Sequence, residues 1–332
     1  MEKLKDIIVN FLAGKEGLCA TLPEIYQAVA ESGREATCST WQASARRTIY
    51  ENTDTFKRVV RGVWMLTGEK AVSLLIDGSG RELKEIEDSS VDLIITDHPW
   101  DCAKSNKGGN RDFATYDTFK YELSDFEAKA RVLKEGAYCV EFLPVESQNN
   151  WRYLASIKDF AERCGLQYYA SCIWRSAPEG TKNTGRTCKG VQQIIIFSKG
   201  KPRKFSPDNV QGYQTHTILP YELDFPVASQ AKYRNHPAEK PVELYEYLIK
   251  QFTEEQEVCL DQFAGSCNLL QAAVNTNRFG VAFEIAKEYV DKAISRFGLI
   301  NCYRAEDIEV TPIVNQPGIF TCGSNGQIAF NI

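Results

Sequence analysis

The sequence predicts an α/β protein in which a mostly parallel sheet follows a smaller N-terminal module. Residues 91–100, VDLIITDHPW, begin with an apolar, β-branched run that is typical of a buried parallel strand and stops at an acid. Residues 258–284, VCLDQFAGSCNLLQAAVNTNRFGVAFE, indicate a strand, a glycine-containing turn, a helix and a second strand. Strands and helices alternate between these stretches, which favours a doubly wound sheet.

The elements between the two stretches are predicted from apolar periodicity and length. We predict strands at 72–76, 136–142, 168–175 and 191–198, and helices at 123–134 and 151–164.

The first 68 residues predict a module of their own, followed by a hinge at 68–70 and a domain over 69–332. Helices are predicted at 3–12, after a capping box at Thr21 and Glu24, and at 39–52. Two short strands around Arg61 and Gly62 follow in 56–67. Three helices and a hairpin resemble a winged helix, a common DNA-binding fold.

The last part of this module carries more cations than acids. Residues 39–68 contain two acids and five cations, which are Arg46, Arg47, Lys57, Arg58 and Arg61. This balance suits a helix and a wing that lie on DNA phosphates. The alternative is a winged helix that docks on another protein or on the larger domain.

Composition is ordinary for a globular protein of 332 residues, with 43% hydrophobic and 25% charged residues. No run approaches the length of a membrane span, and residues 1–17 lack an apolar signal core. The eleven cysteines form no CxxC pair, and there are only three histidines. We therefore expect free thiols, no metal site and a cytoplasmic protein.

The net charge of −5 does not suggest a nucleic-acid binder, but its distribution is uneven. Residues 171–204 hold one acid and eight cations, namely Arg175, Lys182, Arg186, Lys189, Lys199, Lys201, Arg203 and Lys204. Such a segment is typical of a phosphate-contacting surface. A merely solvated basic loop is the alternative.

The candidate site lies where the two strands end. Ligands of open α/β sheets bind beyond the carboxyl ends of the strands, which is where Asp97, Trp100 and Asp261 are expected. Glu284 follows Asp261 by 23 residues, a spacing that suits an acid binding both ribose hydroxyls of a nucleotide-like ligand. A GxGxxG fingerprint is absent, so a dinucleotide is not indicated.

Three motifs together resemble a known family. Asp97, His98, Pro99 and Trp100 are similar to the Asp-Pro-Pro-Tyr/Trp motif of the DNA amino-methyltransferases, which methylate an exocyclic amine of adenine or cytosine. Residues 261–267 resemble their Asp-Pro-Phe-x-Gly-x-Gly motif for S-adenosylmethionine, and 236–241 resemble their His-Pro-x-x-Lys-Pro segment. The motif order is that of the β group. The resemblance covers about residues 70–300 and implies a Rossmann-like methyltransferase domain with a mixed, mostly parallel sheet.

The resemblance also implies roles for matched residues. Asp97 and the His98 carbonyl would each accept one hydrogen of the amine, and Trp100 would stack on a flipped-out base. Asp261 would lie near the cofactor's amino group and Glu284 would bind the ribose. The remaining cofactor residues are the turn Phe263, Ala264, Gly265 and Ser266, and Lys240 with Pro241 on the carboxylate side.

Three positions depart from the family pattern. His98 and Gln262 replace prolines, and Cys267 replaces the last glycine, where a side chain would crowd the cofactor if the position needs positive φ or a close approach of the backbone. His98 would contact the base or a phosphate, or simply pack.

These features predict a site-specific adenine-N6 methyltransferase acting on double-stranded DNA, as in restriction-modification. The leading Asp97 favours adenine, and dimers are common among relatives. The open alternatives are a cytosine-N4 or RNA methyltransferase and a DNA-binding regulator with a degenerate methyltransferase domain.

Overall fold

The computed structural model describes residues 2–15, 17–34, 39–68, 70–100, 118–176, 181–183, 186–188, 190–203, 219–226, 239–297 and 301–308. For 181–183 and 186–188 it describes only the backbone. Lys189, Lys204 and residues 235–238, together with the side chains of Lys182 and Arg186, therefore lie outside the described part.

The N-terminal residues form three helices and a three-stranded sheet. The helices are α1 (Leu4–Gly14), α2 (Leu22–Glu31) and α3 (Trp41–Glu51), and the strands, in the order β1-β3-β2, are β1 (Cys19–Thr21), β2 (Phe56–Lys57) and β3 (Val63–Leu66). The capping box of α2 is confirmed, because the Thr21 amide donates to Glu24 Oε2 at 2.7 Å and the Glu24 amide donates to Thr21 Oγ1 at 3.4 Å. The predicted hairpin is present as antiparallel β2 and β3.

The larger sheet has nine strands in the order β11-β7-β10-β6-β5-β12-β13-β4-β14. Their bounds are β4 (Ser73–Asp77), β5 (Val91–Thr96), β6 (Leu133–Leu143), β7 (Leu166–Arg175), β10 (Val191–Lys199), β11 (Glu222–Asp224), β12 (Val258–Asp261), β13 (Phe279–Glu284) and β14 (Cys302–Arg304). A separate hairpin consists of β8 (Thr181–Asn183) and β9 (Arg186–Cys188). Of the nine strands, β10 alone pairs antiparallel with its neighbours, so the mixed, mostly parallel sheet is confirmed.

Helices cover both faces of this sheet. They are α4 (Leu123–Val132), α5 (Trp151–Arg163), α6 (Val242–Phe252), α7 (Asn268–Asn275) and α8 (Lys287–Phe297). Strand β5 shows why its sequence is apolar throughout, since Ile94 packs in one cluster with α4 and α5, and Leu93 packs in another with α6, α7 and α8. A parallel strand buried on both faces needs apolar residues in both directions.

The N-terminal module packs on the amino-terminal ends of the parallel strands. Val59 and Val60 belong to the same buried cluster as Val91, the first residue of β5. The backbones of the module and the larger domain also contact each other, since the Arg61 amide donates to the Glu85 carbonyl at 2.7 Å. At the start of β14, the Asn301 side-chain amide donates to the Gly17 carbonyl at 3.0 Å. The module thus lies at the edge of the sheet opposite the carboxyl ends.

Candidate active site

Parallel pairing of β5 with β12 brings the two predicted motifs to one edge. Ile94 is the register partner of Leu260, so the chain leaves both strands at the same level, towards Asp97 and Phe263. Phe119 joins the two turns, because its amide donates to the Pro99 carbonyl at 3.1 Å and its ring meets that of Phe263 edge-on at 5.5 Å. The two turns share one crevice.

Asp97 has one oxygen bound and one free. Its Oδ2 pairs with the ammonium group of Lys240, while Oδ1 is buried and has no hydrogen-bond partner among the residues that the structure describes. Burial raises the pKa of Asp97, and the Lys240 charge opposes that rise. The ion pair therefore favours the ionised carboxylate, which leaves a buried acceptor, Oδ1, for a ligand.

The placement of Lys240 differs from the position implied by the resemblance. Its side chain is 3% exposed, ion-paired with Asp97, and its ammonium group lies 4.7 Å from the centre of the Phe142 ring. Its carbonyl accepts a hydrogen bond from Asn268 Nδ2 at 2.6 Å, and Pro241 is the N-cap of α6. Sequence reasoning missed the pairing because 143 residues separate Lys240 from Asp97.

The catalytic turn also contains two aromatic rings, of which His98 is buried and Trp100 is partly exposed. His98 is 1% exposed, with its Nε2 2.7 Å from Tyr153 Oη, so it packs and does not face a phosphate. Burial lowers the pKa of His98 well below its ordinary value, which makes the ring neutral. Trp100 is partly exposed, and its indole Nε1 is buried with no hydrogen-bond partner in the described ranges. Trp100 is therefore the aromatic surface that this turn presents.

The turn after β12 is built around two buried carboxyl groups. Asp261 Oδ1 accepts the Phe263 amide at 3.1 Å, and burial raises the pKa of Asp261 to about 7. Glu284 accepts the Gly265 amide at 2.7 Å and the Ala286 amide at 2.8 Å. A carboxylate has about four lone-pair directions, so Glu284 retains acceptor capacity for two hydroxyl groups.

Cys267 and Gln262, which depart from the family pattern, both lie in or next to this turn. Cys267 has φ +58° and is fully buried at the N-cap of α7, so a cysteine occupies the left-handed conformation that favours glycine. Gln262 donates from Nε2 to the Gly80 carbonyl at 2.9 Å. A Cβ on Gly80 would lie 2.3 Å from the Gln262 carbonyl oxygen, which makes Gly80 a necessary glycine that sequence reasoning missed.

Ala264 and Ser266 also belong to this turn. The Ala264 amide donates to the Phe283 carbonyl at 2.9 Å, and Ser266 is 8% exposed. Ile285, which sequence reasoning also missed, is 63% exposed directly after Glu284. Such an exposed apolar side chain beside an acid offers a surface on which a planar ring can pack.

The cations proposed to bind DNA fall into two groups. Arg46 and Arg47 are exposed on α3, and Arg47 pairs only within its helix, with Glu51. Lys57, Arg58 and Arg61 instead contact the larger domain.

The contacts of this second group are specific. Lys57 donates to the Gln256 carbonyl, Arg58 pairs with Glu87 at 3.1 Å, and Arg61 pairs with Asp88 at 3.3 Å. For these three cations the geometry favours the docking alternative over phosphate contact, because their charges are directed at the protein's own acceptors. In the basic segment, Arg175 pairs with Glu222 at 2.6 Å.

Within the described residues, no helix has the length and apolarity needed to cross a membrane. The same residues contain no group of three or more His, Cys, Asp or Glu side chains arranged to hold a metal ion.

Comparison with known proteins defines the class to which this fold and crevice belong. A family model described as DNA methylase matches residues 91–295, which is more than half of the chain and includes the Asp97 and Asp261 turns. The chain belongs to this DNA methylase family.

The alignments with individual relatives cover most of the length of each relative. Type II methyltransferase M.HpaI of Haemophilus parainfluenzae is 28% identical over 240 residues, which are 67% of this chain and 73% of that protein. DNA adenine methyltransferase YhdJ of Escherichia coli is 26% identical over 266 residues, 73% of this chain and 87% of the relative. The crystal structure of M1.HpyAVI with SAM superposes with a TM-score of 0.51 at 22% identity, covering 69% of this chain and 100% of that one, which shows a shared fold.

Proposed function

We propose that this DNA methylase transfers a methyl group from S-adenosylmethionine to the N6 amine of an adenine flipped out of double-stranded DNA. The observation that carries the proposal is the free, buried Oδ1 of Asp97 in the crevice shared with the turn after β12. An unpaired buried acceptor is costly unless a ligand donates to it. The adenine name of YhdJ and the leading Asp97 support adenine over cytosine.

The residues of the turn supply alignment and acceptor groups. Asp97 Oδ1 accepts one hydrogen of the adenine amine and the His98 carbonyl accepts the other, which makes the nitrogen lone pair available for attack. Trp100 stacks on the extruded base, a contact of about 1–3 kcal/mol. Asp97 then receives or relays the proton that the amine loses. No covalent enzyme intermediate is needed, because positioning and electrostatic stabilisation suffice.

The crevice residues fit the proposed cofactor. S-adenosylmethionine supplies an electrophilic methyl group on a sulfonium. Asp261 offers a buried carboxylate to its cationic amino group, Glu284 offers two acceptor directions to the ribose hydroxyls, and Ile285 offers an apolar surface. Residues 263–266 form the turn on which the methionine portion would lie.

The Lys240 ion pair gives that residue a second role in the proposal. The ammonium group of Lys240 pairs with Asp97 and lies over the Phe142 ring. We therefore assign Lys240 to holding Asp97 ionised. Lys240→Met should lower kcat by about a hundredfold, in line with losing one electrostatic partner in a water-excluded site, and Lys240→Arg should retain part of the activity. Cofactor affinity that falls as much as kcat would contradict this assignment and favour direct contact with the cofactor.

The direct test is methylation of cellular DNA. DNA from cells that express the protein should gain N6-methyladenine at one sequence, as detected by methylation-sensitive sequencing and by nucleoside mass spectrometry. Cells with Asp97→Ala should lose the signal while the protein stays folded. N4-methylcytosine in place of methyladenine would refute the choice of base, and methylated RNA would refute the choice of nucleic acid.

One observation favours a second candidate, a DNA-binding regulator with a degenerate methyltransferase domain. Cys267 occupies a left-handed position next to the proposed cofactor turn, where its side chain limits the approach of a ligand. A titration with S-adenosylmethionine separates the two, because the regulator would show no binding at millimolar cofactor.

We also propose that Arg46 and Arg47, and the basic segment with Arg175, Lys182, Arg186 and Lys189, contact phosphates. This assignment rests on exposure for the first pair and on charge pattern for the segment. We propose as well that the protein forms a homodimer and is cytoplasmic.

A further inference from the structure

The second position of the catalytic turn holds a histidine ring that is fixed from two sides. Tyr153, in the first turn of α5, has its Oη 2.7 Å from His98 Nε2. Tyr121 lies against the ring, with centroids 3.9 Å apart and planes 32° apart. His98 is 1% exposed, so its ring cannot change rotamer without displacing these tyrosines.

The two tyrosines are tied to each other and to the central sheet. The Tyr121 amide donates to Tyr153 Oη at 2.9 Å, and the Tyr121 hydroxyl donates to Glu141 Oε2 at 3.1 Å. Glu141 is fully buried with Lys129 and is the register partner of Thr96, the residue before Asp97. The tyrosines that hold the His98 ring are thus connected to β6, the strand that pairs with β5.

Hydrogen-bond counting assigns the tautomer of His98. Tyr153 Oη already accepts the Tyr121 amide, so its own proton has one partner, His98 Nε2. That arrangement places the imidazole proton on Nδ1, which has no hydrogen-bond partner within the described part of the chain. The opposite tautomer would leave both the tyrosine proton and Nδ1 unpaired, which costs more.

We propose that Tyr153 is a positioning residue: through His98 it holds the main chain of residues 97–100. The inference rests on the proposed function, because it concerns the carbonyl of His98 that accepts the amine. Where relatives have proline, the ring fixes φ at about −65°. Histidine gives no such restraint, and the bonded, stacked ring supplies it instead.

The first test uses the protein without DNA or cofactor. Only three histidines occur in the chain, so ¹⁵N-histidine spectra resolve His98, assigned by its loss in His98→Pro. We expect a neutral ring with the proton on Nδ1 from pH 5.5 to 8, and a changed tautomer signal in Tyr153→Phe. Hydrogen exchange at the amides of residues 98 and 100 should also quicken in Tyr153→Phe, by about tenfold if the turn opens locally.

The matched control is Tyr168→Phe, which removes the hydroxyl of a half-exposed tyrosine that donates to Ser171 Oγ on its own strand at 3.0 Å. It should change neither the spectrum nor the exchange. A His98 ring that titrates near pH 6.5, or equal exchange in Tyr153→Phe and Tyr168→Phe, would overturn the anchor.

The second test compares methylation rates in two backgrounds. Tyr153→Phe should lower kcat by about tenfold or more, as expected for a misplaced reacting group, and leave the KM for S-adenosylmethionine within about twofold. In the His98→Pro background, Tyr153→Phe should lower kcat by less than about twofold, because proline restrains the main chain without a contact to Tyr153. Equal losses in both backgrounds, or a loss in KM alone, would refute positioning through His98.

The outcomes separate this inference from the proposed function. If the wild-type protein methylates no nucleic acid, the proposed function fails, and the spectra and exchange rates still decide whether Tyr153 holds the turn. If His98→Pro does not fold, as judged by its melting temperature, the comparison of Tyr153→Phe with Tyr168→Phe decides.

Discussion

At the scale of single residues, Asp261 predicts how cofactor binding depends on pH. Burial raises its pKa to about 7. A cationic amino group stabilises the ionised carboxylate, so binding must release the proton that Asp261 holds below pH 7. We expect affinity for S-adenosylmethionine to rise from pH 5.5 to 7, by at most about tenfold per pH unit, as measured by calorimetry.

The control for this prediction is Asp261→Asn, which should bind more weakly and with no rise over the same range. The sign for stability is the reverse. Between the ordinary aspartate pKa and 7 the unfolded chain is ionised while the folded chain keeps the proton, so Asp261 lowers the free energy of unfolding as pH rises. A cofactor affinity independent of pH in the wild-type protein would contradict the proposed contact.

A second residue prediction concerns Glu85, on the loop between β4 and β5. It is 1% exposed, neither of its side-chain oxygens accepts a hydrogen bond from another of the described residues, and burial raises its pKa. Above its ordinary pKa the ionised form opposes folding, so Glu85→Gln should stabilise the protein at pH 7.5 by about 1 kcal/mol. Urea unfolding should show this gain vanish near pH 4.5. A gain of equal size at both pH values would mean that charge is not the cause.

Individual site residues could be predicted from the sequence where a local pattern indicated them. Asp97 directly follows β5 and Glu284 is the last residue of β13, and a buried strand of this kind places the acid at its carboxyl end on a ligand-binding edge. The pairing of Lys240 with Asp97 and the stacking of His98 on Tyr121 depend on contacts between distant segments, for which a single sequence has no local signal. The approach of Gly80 to the Gln262 carbonyl is of the same kind.

At the scale of elements, the start of α7 predicts an unusual preference. Cys267 has φ +58°, a conformation in which glycine avoids a cost of about 1–2 kcal/mol. Cys267→Gly should therefore be more stable than Cys267→Ala by about 1 kcal/mol, although glycine is ordinarily the weaker residue. Urea unfolding of the two variants measures this difference. Alanine equal to or better than glycine would show that the turn relaxes out of the left-handed region.

The same scale shows which elements a sequence specifies by itself. The strands 72–76 and 191–198 were predicted within a residue or two, because each contains consecutive apolar residues, at 74–76 and at 194–197. Strands β1 and β11 were missed, since each has three residues and exists through pairing with β3 or β7. Helix α4 also ends two residues earlier than predicted, because β6 already begins at Leu133.

At the scale of the whole molecule, the candidate active site and the N-terminal module lie at opposite ends of the sheet. The carboxyl edge carries the crevice with Asp97, and the amino edge carries the N-terminal module through the contacts of Lys57, Arg58 and Arg61. Strand β5 has six residues and separates these edges by about 20 Å. The module's charge suggested DNA contact, but its orientation depends on apolar packing of Val59 and Val60, which charge counting does not detect.

This arrangement predicts that DNA length decides whether the module matters. A duplex of about 12 base pairs extends about 20 Å on each side of its centre, which is no more than the length of β5 between the crevice and the amino edge where the module lies. Arg46→Glu combined with Arg47→Glu should therefore leave methylation of such a duplex within about twofold. For a 40-base-pair duplex the same variant should weaken binding and reduce the salt slope by about two. The control is Lys3→Glu with Lys5→Glu on α1, an equal change of charge on the same module. Equal losses on both duplexes would place α3 beside the crevice, and no loss on either would leave the module a purely structural cap on the amino edge.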